Sequence, residues 1–350
     1  MATYSIAEAK ARLSQLIDQA LAGEEVTITR DGKPVAELRA KAPSSVRGRP
    51  SPHLVDELAR RAKRLPALGQ PAVNWHGLVR AEHEPAAASG LSAAPMFSRY
   101  VGVDYSGAET ATSGLPGIQV YVAVGAAAPT EVRPQPARRW SRRALAEWLI
   151  VELPVGGRTL VGIDHAFSFP LRYFDKYGLE RNWPSFLDDF QRHWPTDEDN
   201  VYVDFVREGV VGDGAARQGS SKWRRLTDGR APGAKSVFHF DAPGSVAKST
   251  HAGLPWLRAI RQRLGAQVHF WPFDGWSVPE GLSAVVEAYP ALHNRLYPLE
   301  GRTSHQHDAF SVAAWMADMD RSGRLDRFFR PELTEAEREV AGVEGWIFGA

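Results

Sequence analysis

Residues 100–104 read Tyr-Val-Gly-Val-Asp (YVGVD), and residues 159–164 read Thr-Leu-Val-Gly-Ile-Asp (TLVGID). Both are short apolar runs that end in an acid, and runs of this length and composition read as buried strands. Working outward, Gly117–Gly125 (GIQVYVAVG) predicts a second strand after the first, and Glu131–Arg133 a short third. Ser141–Leu153 predicts a helix, with Ser141 as N-cap and Leu145, Trp148 and Leu149 on one face. Further along, Val268–Trp271 and Ala284–Glu287 predict strands, and His307–Met319 a helix. Strands and helices mixed in this way give an α/β fold with helices flanking a mixed sheet.

The placement of the acids carries the chemistry. Asp104 and Asp164 end their strands, Glu287 ends AVVE, and Asp308 opens the helix HDAFSVAAWMA. Carboxylates are costly to bury and uncommon in apolar strands. Taken singly, each also suits a helix cap or a turn. Taken as an ordered set, they predict convergence at one sheet edge, where their mutual repulsion calls for a cation. Hard oxygen donors in a chain without cysteine favour Mg²⁺ or Mn²⁺. Two such ions about 4 Å apart activate water and stabilise the leaving oxygen in phosphodiester cleavage. Asp104, Asp164, Glu287 and Asp308 are thus both the metal-ligand and the catalytic candidates.

This set resembles the ribonuclease H-like fold. Within it the chain is similar to the domain-of-unknown-function family 429, described as predicted nucleases. The resemblance rests on VGVDYSGAE, VGIDHAFSFP, HFWPFDGW, VVEAYPALHNRLYP, HDAFSVAAWMA and the tail EGWIFG, over about residues 98–349. It implies a metal-dependent nuclease that uses those four acids and no nucleotide cofactor. ATP-using proteins share the broad fold. The section from about Tyr173 to His251 is longer than a minimal fold requires and leaves the shape of the substrate groove open.

Nucleic-acid contacts are expected at Lys222, Trp223, Arg224 and Arg225 in QGSSKWRRL, where cations flank an aromatic suited to stacking; an anchored surface loop is the alternative. Gly244–Thr250 (GSVAKST) has the look of a P-loop but carries Ala247 where glycine is required, so it fails as one; Lys248 stays a phosphate-contact candidate, with Ser249 or His251 to assist. His165, His305 and His307 stand beside the acids and are secondary candidates for proton transfer. Trp271, Phe273 and Trp276 are expected in the core or the groove wall.

Toward the N-terminus, residues 85–95 (PAAASGLSAAP) are small and turn-prone, as a linker is. Before it, Ser5 and Glu8 have capping-box spacing, and Ile6, Ala9, Leu13, Leu16, Ile17, Ala20 and Leu21 recur at helical spacing up to Gly23. Val26–Arg30 and Lys33–Leu38, joined by Asp31-Gly32, predict a hairpin. A helix and a hairpin bury little core alone, which predicts pairing with a second copy. The stretch Tyr4–Leu38 resembles the N-terminal domain of the Phd/YefM antitoxins. The resemblance implies dimerisation, a toxin partner and operator-DNA contact through Lys10, Arg12, Arg30 and Lys33; solvation of an exposed helix face is the alternative for Lys10 and Arg12.

The organisation expected is therefore an antitoxin-like α+β module at 1–40, a basic amphipathic segment and linker at 41–95, and a nuclease domain at 96–350. From Lys41 to Arg64 there are seven basic and two acidic residues. Within that segment Ser51 and Pro52 open a helix lined by Leu54, Val55, Leu58, Ala62 and Leu65, with Trp75 and Leu78 as anchors beyond it.

Composition narrows the function classes. The 350 residues are 43% hydrophobic and 24% charged with net charge +1, which suits a globular protein and gives no global basic field. The absence of cysteine excludes disulfides and thiol nucleophiles. No apolar run reaches the roughly 18 residues of a membrane span, and no signal sequence is evident, so a cytoplasmic protein without membrane partners is expected. Three functions remain: a nuclease toxin restrained by its own antitoxin segment, a nuclease targeted to DNA, and a non-catalytic DNA-binding autorepressor that binds a separate toxin.

Overall fold

A computed structural model describes residues 2–5, 16, 19, 26–30, 33–38, 94–107 and 109–350. The chain divides into two compact units, Met1–Glu84 and Pro85–Ala350. Among the described residues no helix is long and apolar enough to cross a membrane.

In the first unit, β1 (Ala2–Ser5), β2 (Val26–Arg30) and β3 (Lys33–Leu38) form a sheet in the order β1-β2-β3. The hairpin strands are those the sequence predicts, and a bulge at Ile28/Thr29 shifts their register. β1 runs parallel to β2; no strand is legible there from the residues alone, because a four-residue edge strand is too short to show a period. Buried Leu16 and Val26 pack with Tyr4 and Ile28. Lys33 is exposed at the start of β3, and Arg30 lies opposite it in the register. Lys10 and Arg12, most of the predicted helix, and the whole 41–93 segment lie outside the described residues.

The second unit is built on a six-stranded sheet. Its strands are β4 (Arg99–Tyr105), β5 (Ile118–Val124), β6 (Thr130–Glu131), β7 (Thr159–Asp164), β8 (Val268–Phe270) and β9 (Ser283–Glu287), in the order β6-β5-β4-β7-β9-β8. β4, β5 and β6 form an antiparallel meander; β7 and β9 run parallel to β4, and β8 parallel to β9. The chain is a mixed α/β protein with helices flanking a mixed sheet.

Helices cover both faces. α1 (Arg142–Val155) is capped by Ser141, whose side chain accepts from the Ala144 amide. It packs with α6 (Ala247–Leu264) on the face that carries Val101, Val103, Val161, Ile163 and Val285. Between β7 and α6 the chain forms α2 (Leu171–Tyr177), α3 (Trp183–His193), α4 (Val203–Arg207) and α5 (Leu226–Arg230). Aromatic rings from this section fill the space over the sheet, with Phe169 at ring-contact distance from Tyr173, Phe186, Phe190 and Phe238. The opposite face carries α7 (Ser304–Arg321), followed by α8 (Asp326–Phe329) and α9 (Glu335–Glu344).

Two glycines set how closely α7 approaches. Gly102 and Gly162 are register partners on neighbouring strands. A methyl at Gly102 would run into the Ala309 carbonyl and stand 2.7 Å from the Ala313 amide, and one at Gly162 would stand 2.7 Å from Val312. The helix backbone therefore lies directly on the sheet here, which only glycine permits. Since side chains alternate faces with period two, Asp104 and Asp164 lie on this same face, one pleat beyond the glycines.

The start of α7 differs from expectation. Thr303 caps it in a reciprocal capping box with Gln306, so the helix begins at Ser304 and Asp308 sits in its second turn.

Candidate active site

Asp104 and Asp164 are register partners at the ends of β4 and β7. Asp104 is only 1% exposed. One of its oxygens accepts from the Ser106 amide at 2.9 Å, and Oδ2 lies 3.0 Å from His305 Nδ1 on α7. Asp308, one turn further along α7, accepts from Asn294 Nδ2 at 2.9 Å. Among the described residues Asp164 accepts no hydrogen bond. Its pKa lies well above the ordinary carboxylate value, because burial disfavours the charge and Asp104, Asp308 and Glu287 repel it. Burial raises Asp308 as well, against the Asn294 hydrogen bond and with repulsion from Asp104. His305 is raised by its bond to Asp104.

Glu287 lines the same cavity as Asp164 and Asp308 but makes different bonds. In the register it pairs with Ile163, one residue out of phase with Asp164, and so belongs to the other face of the sheet. There it is 4% exposed and meets Arg225, itself 3% exposed. Arg225 Nη2 donates to Glu287 Oε1 at 2.5 Å and Nη1 to Oε2 at 2.7 Å, a bidentate pair. Arg225 also donates to Asp228 from Nε and Nη2, and the Phe167 amide donates to Glu287 Oε2. Burial raises the Glu287 pKa, while Arg225 opposes the rise. The structure thus brings Asp104, Asp164 and Asp308 together and commits Glu287 to an internal ion pair.

A cavity of about 260 Å³ opens over this end of the sheet. Asp164, Asp308 and His305 line it from the sheet and α7. Asp228, Arg225, Gly233–Lys235 and Gly244–Val246 line it from the section before α6. Four acids line it against two cationic side chains, Arg225 and Lys235. Among the described residues no group of three or more His, Asp or Glu side chains is placed so that it could hold a metal ion. Fit to a divalent cation therefore rests on the donor set: a two-charge acidic excess, hard carboxylate oxygens, and Asp164 without a hydrogen-bond partner. Asp164 and Asp308 bring such oxygens to the cavity, Asp104 adjoins them, and Glu287 lines the cavity with its charge met by Arg225.

The predicted nucleic-acid contacts separate. Lys222 is exposed, but Trp223 packs at the edge of the core, with Phe238 at 6.1 Å. Arg224 donates to the carbonyls of Asp228 and Ala234, and Arg225 is buried as described. Of the KWRR cations, only Arg225 is buried; Lys222 and Arg224 are exposed. Lys248 pairs with Asp204 at 2.6 Å, Thr250 accepts from the Ala166 amide, and α6 begins within GSVAKST at Ala247. His307 bonds the Asn294 carbonyl. His165 is buried on the Ala166 carbonyl, and burial lowers its pKa to about 4, which keeps the ring neutral. Trp271 is in the core, Phe273 stacks on Trp183 at 4.1 Å, and Trp276 meets Trp271 edge-on.

Sequence reasoning missed two buried carboxylates with structural work. Asp320 on α7 accepts from the amides of Met96 and Phe97 and from the Tyr100 hydroxyl, at 2.7–2.8 Å. Glu344 accepts from the amides of Leu171 and Leu226, capping α2 and α5 together. Neither stands in a local motif, since every partner is distant in sequence.

Residues 1–39 match the profile of the family described as antitoxin Phd_YefM, type II toxin-antitoxin system. No curated protein and no solved structure gives a significant match to the chain.

Proposed function

We propose that the chain joins an antitoxin-like module to a metal-dependent nuclease of ribonuclease H-like fold, in a toxin–antitoxin setting. The observation that carries the nuclease reading is the convergence of Asp104, Asp164 and Asp308 beside a cavity, with Asp164 accepting no hydrogen bond among the described residues. The meander β6-β5-β4 followed by parallel β7 and β9 supports the fold assignment. The family match at residues 1–39 supports the toxin–antitoxin setting. In this reading the N-terminal module dimerises, contacts DNA, and either meets a separate toxin or restrains its own nuclease domain.

Bound Mg²⁺ or Mn²⁺ would supply Lewis-acid activation of water and stabilisation of the leaving oxygen. Asp164 and Asp308 would hold it, with Asp104 adjoining. His305 lines the cavity while Asp104 fixes its Nδ1, a pairing suited to hold and pass a proton. Arg225 fixes Glu287 and the chain around Asp228, and so positions one side of the cavity.

The test is cleavage of labelled DNA, RNA and hybrid substrates with Mg²⁺, Mn²⁺ or EDTA. Cutting by the wild type that is lost in EDTA and falls at least a hundredfold in Asp104→Asn is the expected result. Equal cutting by Asp104→Asn overturns the assignment.

The family match also favours a second reading, a non-catalytic DNA-binding autorepressor that binds a separate toxin. Under it, changing Asp104, Asp164 and Asp308 together leaves DNA affinity and toxin binding unchanged, and no substrate is cut.

A further inference from the structure

Beside the carboxylates the surface changes sign. An open groove of about 290 Å³ is lined by the start of β5, the chain from Glu131 to Trp140, and the capped start of α7. Arg133, Arg138 and Arg139 line it against a single acid, Glu131, an excess of two positive charges. Arg133 Nη2 donates to Glu131 Oε2 at 2.9 Å. Arg138 and Arg139 are exposed, and their guanidinium groups make no hydrogen bond or ion pair among the described residues. The turn that carries them is anchored. Trp140, next to Arg139, is buried, and its indole N–H donates to the Val132 carbonyl at 2.9 Å. The Trp140 carbonyl accepts from the Leu115 amide at 2.8 Å. Two guanidiniums thus leave a fixed turn with no protein anion to meet them, and their donor forks match phosphate oxygens.

The groove adjoins the acids. Gln119, in its lining, is the register partner of Asp104 across β5 and β4. At the start of α7, Thr303 and Gln306 line the groove while Ser304 and His305 line the acidic cavity. His305 Nδ1 lies 3.0 Å from Asp104 Oδ2. A cation-seeking patch and an anion-seeking patch therefore share one helix start and one strand pair. A nucleic-acid strand answers both: one phosphate meets a cation held by the acids, and phosphates along the same strand meet the arginines.

Resting on the nuclease reading above, we infer that this groove binds the sugar-phosphate backbone of a nucleic-acid strand beside the acids, with Arg138 and Arg139 as its phosphate contacts. Both are positioning residues.

The test titrates labelled single-stranded RNA into the full chain in EDTA at a series of NaCl concentrations, followed by anisotropy. Arg138→Gln/Arg139→Gln is compared with Arg172→Gln/Arg263→Gln, which removes the same charge from exposed positions outside the groove. The groove variant should bind at least tenfold more weakly, and the control within about twofold of wild type. The plot of log affinity against log salt should be shallower by about 1.4 in the groove variant, at about 0.7 per single-strand phosphate contact. Because the chain has no cysteine, Ala137→Cys offers one thiol for a fluorophore on the exposed turn. Its emission should change over the same RNA concentrations as the anisotropy.

No binding by wild type, unchanged affinity in the groove variant, equal loss in the control, or a silent fluorophore while RNA binds each overturns the inference. Displacement by polyglutamate as readily as by unlabelled RNA makes the groove a general anion surface and overturns the nucleic-acid assignment. Cleavage in Mn²⁺ is scored separately. If nothing is cut but the groove variant binds tenfold more weakly, the nuclease reading falls and the groove stands. If RNA is cut and the groove variant binds as wild type does, the groove falls and the nuclease reading stands.

Discussion

Asp164 and Glu287 end neighbouring strands in similar sequence surroundings, yet the structure gives them opposite electrostatics. Asp164 has its charge opposed by burial and by three other acids, whereas Glu287 has its charge met by Arg225. They therefore respond differently to removal of charge. Asp164→Asn relieves an unpartnered carboxylate and raises Tm in metal-free buffer, at about 2–4 °C per kcal/mol relieved. The sign follows from linkage. A carboxylate whose native pKa is raised contributes stability that is present below its unfolded value of about 3.8 and is lost as pH rises through the native value. The Tm advantage of Asp164→Asn is thus largest near neutral pH and shrinks on acidification, as calorimetry across that range will show. Glu287→Gln leaves Arg225 buried beside Asp228 alone and costs about 3 kcal/mol in denaturant unfolding. The acids themselves were legible as strand-end residues. Which of them share a face was not, because a one-residue offset in strand pairing reverses the face and no local pattern encodes that offset.

The packing of α7 on β4 and β7 controls where Asp308 and His305 stand. Gly102→Ala pushes against helix backbone that has no rotamer to yield, so it should cost about 1–3 kcal/mol in thermal unfolding and weaken any metal binding that depends on Asp308. The other end of α7 holds the entering chain through Asp320. Asp320→Ala strands the Met96 and Phe97 amides and the Tyr100 hydroxyl, and a loss of about 2–4 kcal/mol in denaturant unfolding is expected. Most of these elements were legible. β7 falls on Thr159–Asp164 as its apolar run predicts, and Ser141 caps α1. The start of α7 was misplaced because the apolar period begins only after the first turn, while the signal that sets it is the polar Thr303–Gln306 box. The three bonds to Asp320 were invisible, since they join residues more than 200 positions apart.

In the large unit the long section between β7 and α6 does two things that composition did not reveal. It supplies an aromatic layer over the sheet, and it lines part of an open cavity at the strand ends, where Arg225 is tied to Glu287. KWRR is read from local charge as a surface patch; only the fold shows that Arg225 is buried on carboxylates while Lys222 and Arg224 stay exposed. The unit carries its own sheet and cores. A chain beginning at residue 94 should therefore unfold cooperatively, while one beginning at residue 99 loses the Asp320 anchor and unfolds several degrees lower. The central proposal is that Asp164 and Asp308, with Asp104 adjoining, hold a divalent cation while Glu287 stays paired with Arg225. Titration of Mn²⁺ into the full chain, followed by electron paramagnetic resonance, tests it most directly. The account predicts saturable binding in wild type and in folded Glu287→Gln, and at least tenfold weaker binding in Asp164→Asn. Binding that survives Asp164→Asn unchanged, or is lost in folded Glu287→Gln, would contradict it.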